Sequence, residues 1–556
     1  MRKVVSTLFV LAVLTASISL NAQTTNKPYS FANLPKITKT AFKADTLNIL
    51  KFGAVSDGLT LNTKSINNAI IDCNKRGGGV VLIPKGLWLS GPIELKSNVN
   101  LHLQENAILQ FTKDFNQYPL VASNWEGLPQ MRNQSPLWAT NQQNIAITGK
   151  GIIDGAGDAW RMVKKDKLTE SQWSKLVASG GVVSEDKKTW YPTEQFFKAS
   201  KLKNPGEITP DKTPEFYQSI KDFLRPNLVV LTSCKRILLE GVTFQNSAAW
   251  NIHPLMCEDL TVTNIYAKNP WYAQNGDGID LESCKNVLIE GSTFDVGDDG
   301  ICIKSGRDAA GRKRGMPTEN VIIRNSTVYH AHGGFVIGSE MSGGAKNIFV
   351  YDCSFIGTDI GLRFKTTRGR GGVVEKIFIK NINMIGIVGE AILFDMYYAA
   401  VDPILLKGDK RDAPKVVMLP ITEETPVFRD FHIANVACDG AAKAIFIRGL
   451  PELSISNISL ENLSIKAKEG IDIQEAKNIT LNNVSLVVTE AEPLINIQNG
   501  NQINLKNVKY NTARVLFRIS GDRNSAIQSS GLDTSKAKIK TEFLVGAEEK
   551  SLQINK

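Results

Sequence analysis

CKRILLEGVTFQNS (residues 234–247), CEDLTVTNIYAKN (257–269) and CKNVLIEGSTFDVG (284–297) are three copies of one pattern, and that pattern decides the fold. Each opens on a cysteine, alternates apolar residues with a period of two, and closes near glycine, asparagine or aspartate. Such alternation marks short strands with one buried face. Further copies follow as TENVIIRNSTVYHA (318–331), AKNIFVYDCSFIGT (345–358) and VEKIFIKNINMIGI (374–387), with fainter ones from Val427, Leu453, Ala476 and Gly500. Successive starts differ by 23, 27, 34, 27 and 29 residues, a range that signals stacked repeats rather than separate globular domains. The period of two and the β-branched content exclude helical repeats, while propeller blades spend about 40 residues on four antiparallel strands. The expectation is an all-β parallel β-helix of roughly ten or more coils. Equivalent residues of consecutive coils then lie about 4.8 Å apart, so a sequence distance of one coil becomes a contact.

Toward the N-terminus the strand pattern begins near residue 46 and includes VVLIP, LWLSGPIEL, VNLHL and AILQF. Ile66, Ala69, Ile70 and Cys73 share one helical face behind a cap at Asn62 and Thr63, which predicts a helix closing one end of the core. Residues 1–22 have a basic start (Arg2, Lys3), an apolar run and a small residue before Gln23, the layout of a cleavable secretory signal. A polar leader occupies 23–45, and the β-helix is expected over 46–556. Residues of about 160–224 break the pattern with Lys, Glu, Ser and aromatics, and read as an insertion with some helix. Its aromatics either stack on a ligand or pin the insertion to the coil wall. Seven scattered cysteines without a CxxC pair argue against zinc, and Cys234, Cys257 and Cys284 share one inward repeat position as small hydrophobes. A disulfide between neighbouring coils stays geometrically open.

The formal charge is +10, and residues 301–380 carry 13 Lys and Arg against 6 Asp and Glu. A basic exported protein suggests an anionic partner: nucleic acid, lipid headgroups or an acidic polysaccharide. The acids concentrate instead in NGDGIDLESCKNVLIEGSTFDVGDDGICIKSG (275–306), at Asp277, Asp280, Asp295, Asp298 and Asp299. Carboxylates held together in strand-like sequence have perturbed proton affinity or bind a cation. Asp277 and the pair Asp298-Asp299 are one coil apart, with His332 and then Arg363 and Lys365 on the next two coils. Asp280 and Asp295 read as scaffold, and Lys304, one strand step beyond the acid pair, reads as either scaffold or site.

At these residues the sequence resembles glycoside hydrolase family 28, a family of pectin-degrading β-helices, whose motifs are written NTD, DD, GHG and RIK. Here they stand as Asn275-Gly276-Asp277, Asp298-Asp299, Ala331-His332-Gly333 and Arg363-Phe364-Lys365. Gly276, Ala331 and Phe364 depart from the motifs, which bears on subsite preference while the chemically active side chains are kept. The resemblance implies a single-stranded right-handed, pectin-lyase-like solenoid that hydrolyses α-1,4-galacturonosidic bonds with inversion. It also implies Asp298 as general acid, Asp277 and Asp299 positioning water, and His332 tuning protonation. Arg363 and Lys365 would grip a uronate carboxylate. Asn275, Arg368, Arg370, Tyr397 and Tyr398 are further candidates for substrate contact, and the irregular stretch 395–425 is expected to border the groove with the insertion, favouring exo action. An inverting pair is expected roughly 6.5 to 9.5 Å apart, and a separation near 5 Å would favour retention.

The partner implied is an acidic plant polysaccharide, with no nucleic acid, no membrane insertion, no cofactor and no metal, and the location periplasmic or secreted. Rhamnogalacturonan hydrolase or galacturonidase activity on branched pectin is the nearest alternative. A Ca-dependent pectate lyase or a non-catalytic β-helix adhesin stands further off.

Overall fold

The computed structural model describes residues 28–398, 400 and 417–555. The signal sequence and most of the stretch 395–425 therefore lie outside the described residues. The chain divides into a short unit to Leu34, whose described part holds a Ser30–Asn33 bridge, and a second unit from Pro35 to the C-terminus. The second unit is a right-handed parallel β-helix. Among the described residues its strands form two long parallel sheets of 24 and 14 strands. No helix among them is long and apolar enough to cross a membrane.

The register follows the sequence period. Lys235 pairs with Glu258, then Lys285, Glu319, Lys346 and Glu375, each one repeat onward. Two residues further in, Ile237, Leu260, Val287, Val321, Ile348 and Ile377 make one continuous ladder, fully buried. A one-residue slip would turn every such ladder outward, so burial holds the register. At one corner Asn286, Asn320 and Asn347 adopt left-handed backbone, which asparagine tolerates better than other side chains. Their amides stack, Asn320 donating to Asn286 at 3.0 Å and Asn347 to Asn320 at 3.1 Å. The corner residues are thus satisfied by the coil above or below.

All seven cysteines are buried and free. Cys257 Sγ donates to the Leu231 carbonyl at 3.1 Å, and burial pushes its thiol well up. The helix Thr63–Lys75 covers the N-terminal end with Ile66, Ala69, Ile70 and Cys73 buried. Asn62 does precede it, but its side chain does not cap the helix and instead accepts from the Val55 amide at 2.7 Å. Part of the leader is tied to the coils, since Ala41 exchanges hydrogen bonds with the Asn144 side chain.

The insertion contains the helices Glu170–Ala178, Glu194–Ser200 and Pro214–Ser219 and a small antiparallel sheet. Trp173 and Trp190 close on Val163, and Tyr217 on Ala199, Ile220 and Leu224. These aromatics build the insertion's own small cores. A second excursion went unread in the sequence: an antiparallel hairpin, Leu120–Trp125 and Leu128–Asn133, turning at Glu126-Gly127. Gly127 has φ +77°, and a Cβ there would stand 2.6 Å from the Arg307 backbone nitrogen. Only glycine allows both that turn and that approach.

Candidate active site

The site grows from the 14-stranded sheet. The strand Ile279–Glu282 pairs with Asp299–Lys304, which pairs with Gly333–Ile337, then Leu362–Lys365, then Glu390–Asp395. Asp277, Asp298 and His332 sit just before three of these strands, so parallel pairing brings them to one edge. One carboxylate oxygen from each of Asp277, Asp298 and Asp299 lies within 4.8 Å of the others. The expected wide acid–base gap is therefore absent. The three acids sit at the starts of only two strands, which pair directly, so parallel pairing draws them together.

Each acid has a different environment. Asp299 is buried, with Lys365 Nζ at 2.7 Å and Arg363 Nη1 at 3.3 Å. Burial alone would raise its proton affinity, but Lys365, Arg363 and Lys304 outweigh it and hold the carboxyl well below the usual range. Asp277 is buried with one oxygen unpartnered. Burial first, then Asp280 and Asp298, pushes it well up. Asp298 is the more open, with its side chain 22% exposed. It accepts from the Asn275 amide at 3.2 Å and the Asp299 amide at 3.0 Å. The acid crowded into holding a proton is thus Asp277.

His332 Nδ1 stands 3.1 Å from Asp298 Oδ1, and Nε2 3.8 Å from Asp359. The Asp298 hydrogen bond raises the imidazole above its ordinary 6.5 against the opposing effect of burial. A raised histidine contributes its pair energy fully below pH 6.5, and loses it as pH rises through the folded value. We expect the alkaline limb of kcat/KM to lie above pH 6.5. His332→Gln should remove that limb in a pH–rate profile; an unmoved limb would assign it to another group.

Arg363 and Lys365 do lie together, but in this structure both are engaged with Asp299, and Lys365 is buried. A buried carboxylate needs such partners. Tyr398 lies under both cations, 4.9 Å from Lys365 Nζ and 5.7 Å from the Arg363 guanidinium. Tyr397 corrects the expectation of substrate contact: it is buried in the core, flanked by Arg368 and Arg448. Neighbouring residues of one chain point to opposite sides. Arg368 is held by Glu452 at 2.6 Å, and Arg370 is buried against Asp308 and Glu340. Arg368 spends its Nε and one Nη on Glu452, and Arg370 has little exposed surface to offer a substrate. Asn275 stays at the site, its side chain accepting from Arg225 at 2.9 Å.

Beneath the triad is a buried charge network. Lys304 Nζ lies 3.0 Å from Glu340 and 3.5 Å from Asp280. Burial pushes Asp280 up to about 8, with Lys304 opposing. Glu340 stays down at about 2, where Lys304 and Lys365 overcome burial. A cavity of about 80 Å³ above this network is lined by Glu126, Trp250, the three acids, Lys304, Lys365 and Tyr398 among others. Glu126, Arg225, Trp250 and Glu340 were missed in the sequence. The hairpin that carries Glu126 is antiparallel and lies outside the repeat, so the repeat spacing gave no sign of it. The triad is also the cluster among the described residues with a geometry able to hold a cation. With Lys365 and Arg363 on Asp299 it already holds two.

The profile described as glycosyl hydrolases family 28 matches residues 218–427, which span the four motifs. Residues 46–202 match a profile described as rhamnogalacturonase A/epimerase, pectate lyase-like. Among solved structures, a hyperthermoactive exopolygalacturonase from Thermotoga maritima is 30% identical, with a TM-score of 0.65 over 81% of this chain and 93% of that one. A probable polygalacturonase of Vitis vinifera is 27% identical over 76% of this chain and 74% of its own length. An exo-poly-alpha-D-galacturonosidase of Dickeya chrysanthemi is 27% identical over 80% and 72%. Fold, register and acid placement agree with these likenesses, and the chain is a glycosidase that belongs to glycosyl hydrolases family 28.

Proposed function

We propose that the protein is an exported polygalacturonase that cleaves α-1,4-galacturonosidic bonds of pectin from chain ends. The observation that carries this is the triad itself: an ionised Asp299 fixed by two cations beside a proton-holding Asp277 and an accessible Asp298. Asp298 protonates the leaving oxygen, with His332 adjusting its charge. Asp299 and Asp277 hold the attacking water, the ionised Asp299 takes the water proton as the new C–O bond forms, and Arg363 and Tyr398 meet the uronate. Relatives named as exo-acting, and the hairpin and insertion lining the cavity beside Asn275, support attack at a chain end. On polygalacturonate we expect monomer or dimer from the first minutes; an initial ladder of oligomers would show internal cleavage. Products without new near-ultraviolet absorbance, formed equally with chelator, separate hydrolysis from elimination. Parallel assay on rhamnogalacturonan tests the reading favoured by the match over residues 46–202.

Inversion rests on Asp299 having both oxygens bound to cations, which suits it to hold water rather than attack carbon. Against it stands the close approach of the acids, one oxygen of each lying within 4.8 Å of the others. Proton NMR of fresh product decides between them: β-anomer first means inversion, α-anomer first means a covalent intermediate.

A further inference from the structure

Next to the triad, on the N-terminal side, lies a cavity of about 330 Å³ walled by the hairpin and the insertion. Its floor carries two arginines from distant parts of the chain, Arg132 on the hairpin and Arg225 after the insertion. Both are buried. Arg225 donates to the carbonyls of Ala248 and Gln274, each at 3.0 Å, and to Asn275 Oδ1. Arg132 donates one hydrogen bond, to the Arg225 carbonyl, and lies 3.8 Å from the Trp125 ring centroid. Neither makes an ion pair with a carboxylate among the described residues. Glu126, the acid lining this cavity, is paired with Arg307 at 3.3 Å.

Two adjacent buried guanidiniums with no carboxylate in contact are costly, since a buried charge is normally paired, and Glu126, which acts on both from a distance, does not offset their burial. Burial and the mutual repulsion of Arg132 and Arg225 push Arg132 well down. An anion entering the cavity would relieve both. A guanidinium has five donors in a planar fork suited to a carboxylate, and Arg132 uses one of its own here. Position sets which anion. Arg225 leads into the strand Val229–Thr232, two strands before Ile279–Glu282 in the sheet, whereas Arg363 lies two strands beyond Asp299–Lys304. Cations therefore flank the acids on both sides along the coil axis.

We propose that Arg132, with Arg225 behind it and Trp125 beneath, seats the carboxylate of a second uronic acid residue on the side of the triad away from Arg363. This rests on the galacturonan reading above and adds to it a recognition element that measures a fixed, short, acidic chain end. The walls of hairpin and insertion close that seat, so the residue it holds is terminal or near-terminal.

The test compares trigalacturonate with 4-nitrophenyl α-D-galacturonide, which has a single uronate and cannot fill both seats. Arg132→Gln should lose about 30-fold in kcat/KM on trigalacturonate, mainly through KM, as expected for a charge-assisted hydrogen bond. Its loss on the nitrophenyl substrate should be at least about tenfold smaller. Arg132→Lys, which retains charge but not the fork, should recover part of the difference. Equal losses on both substrates, or none on either, would overturn the seat. The unmodified protein offers a check independent of any variant: methyl esterification of the terminal uronates of trigalacturonate should raise KM by a similar factor, and an unchanged KM overturns the proposal. Should the unmodified protein hydrolyse neither substrate, the galacturonan reading itself falls.

Discussion

Asp298→Asn is expected to leave the fold intact and lower kcat/KM on polygalacturonate by about 10³- to 10⁴-fold, the usual worth of a positioned acid. The substitution is close to isosteric. The amide oxygen keeps one of the two backbone hydrogen bonds, which come from the Asn275 and Asp299 amides to different carboxylate oxygens, and the side chain is partly exposed and bound to no Lys or Arg. Its thermal unfolding should therefore match the parent within about 1 kcal/mol. What the amide cannot do is give up a proton to a leaving oxygen. The two measurements must be read together: lost activity with a normal melting curve identifies chemistry, whereas parallel losses would make Asp298 a structural residue. Full activity in the variant would sink the acid assignment and return attention to Asp277, whose proton affinity burial raises most clearly.

Lys365→Met is expected to damage both stability and catalysis. Lys365 Nζ lies 2.7 Å from Asp299, and both side chains are almost fully buried. Removing one partner strands the other, a loss of about 3 kcal/mol, with Arg363 at 3.3 Å keeping it from being larger. The pH dependence has a definite sign. Asp299 is depressed in the folded protein, so it contributes stability above its unfolded value of about 3.9 that is lost as pH falls through the folded one. In the variant that depression shrinks. The stability gap to the parent should thus be wide at pH 7 and shrink progressively as pH falls below about 4 towards the depressed folded value in denaturant titrations. Adding Asp299→Asn to Lys365→Met should restore much of the stability and none of the activity, because it removes the stranded charge together with the water-holding carboxylate. A gap independent of pH would mean that Lys365 acts by packing alone.

The coils were readable because a stacked repeat writes its register directly into the spacing of its apolar residues. The offset from Lys235 to Glu258 or from Glu319 to Lys346 is the same number in the sequence and in the sheet. Asp277, Asp298, Asp299 and His332 inherit that legibility, since each sits a step or two from a strand whose register is fixed. Tyr397 and Tyr398 did not share it. Both are aromatic and adjacent, and only the direction of the chain as it leaves the strand Glu390–Asp395 sends one inward and the other beneath Arg363. The hairpin at Leu120–Asn133 was hidden for another reason: it is antiparallel and stands outside the repeat.

From its sequence alone this protein is a parallel β-helix with its acids, histidine and cations on four neighbouring coils, because periodic burial converts one repeat of chain into one strand spacing. Tertiary structure alone decided the rest. The carboxylate spacing, the capture of Asp299 by Lys365, the proton-holding state of Asp277 and the meeting of Arg132 with Arg225 all depend on where side chains point and how far they are buried. Contacts such as Arg307 with Glu126, 181 residues apart, come from loops folded back across the coils. No local period encodes such a contact; the hairpin and insertion are placed by packing on the solenoid.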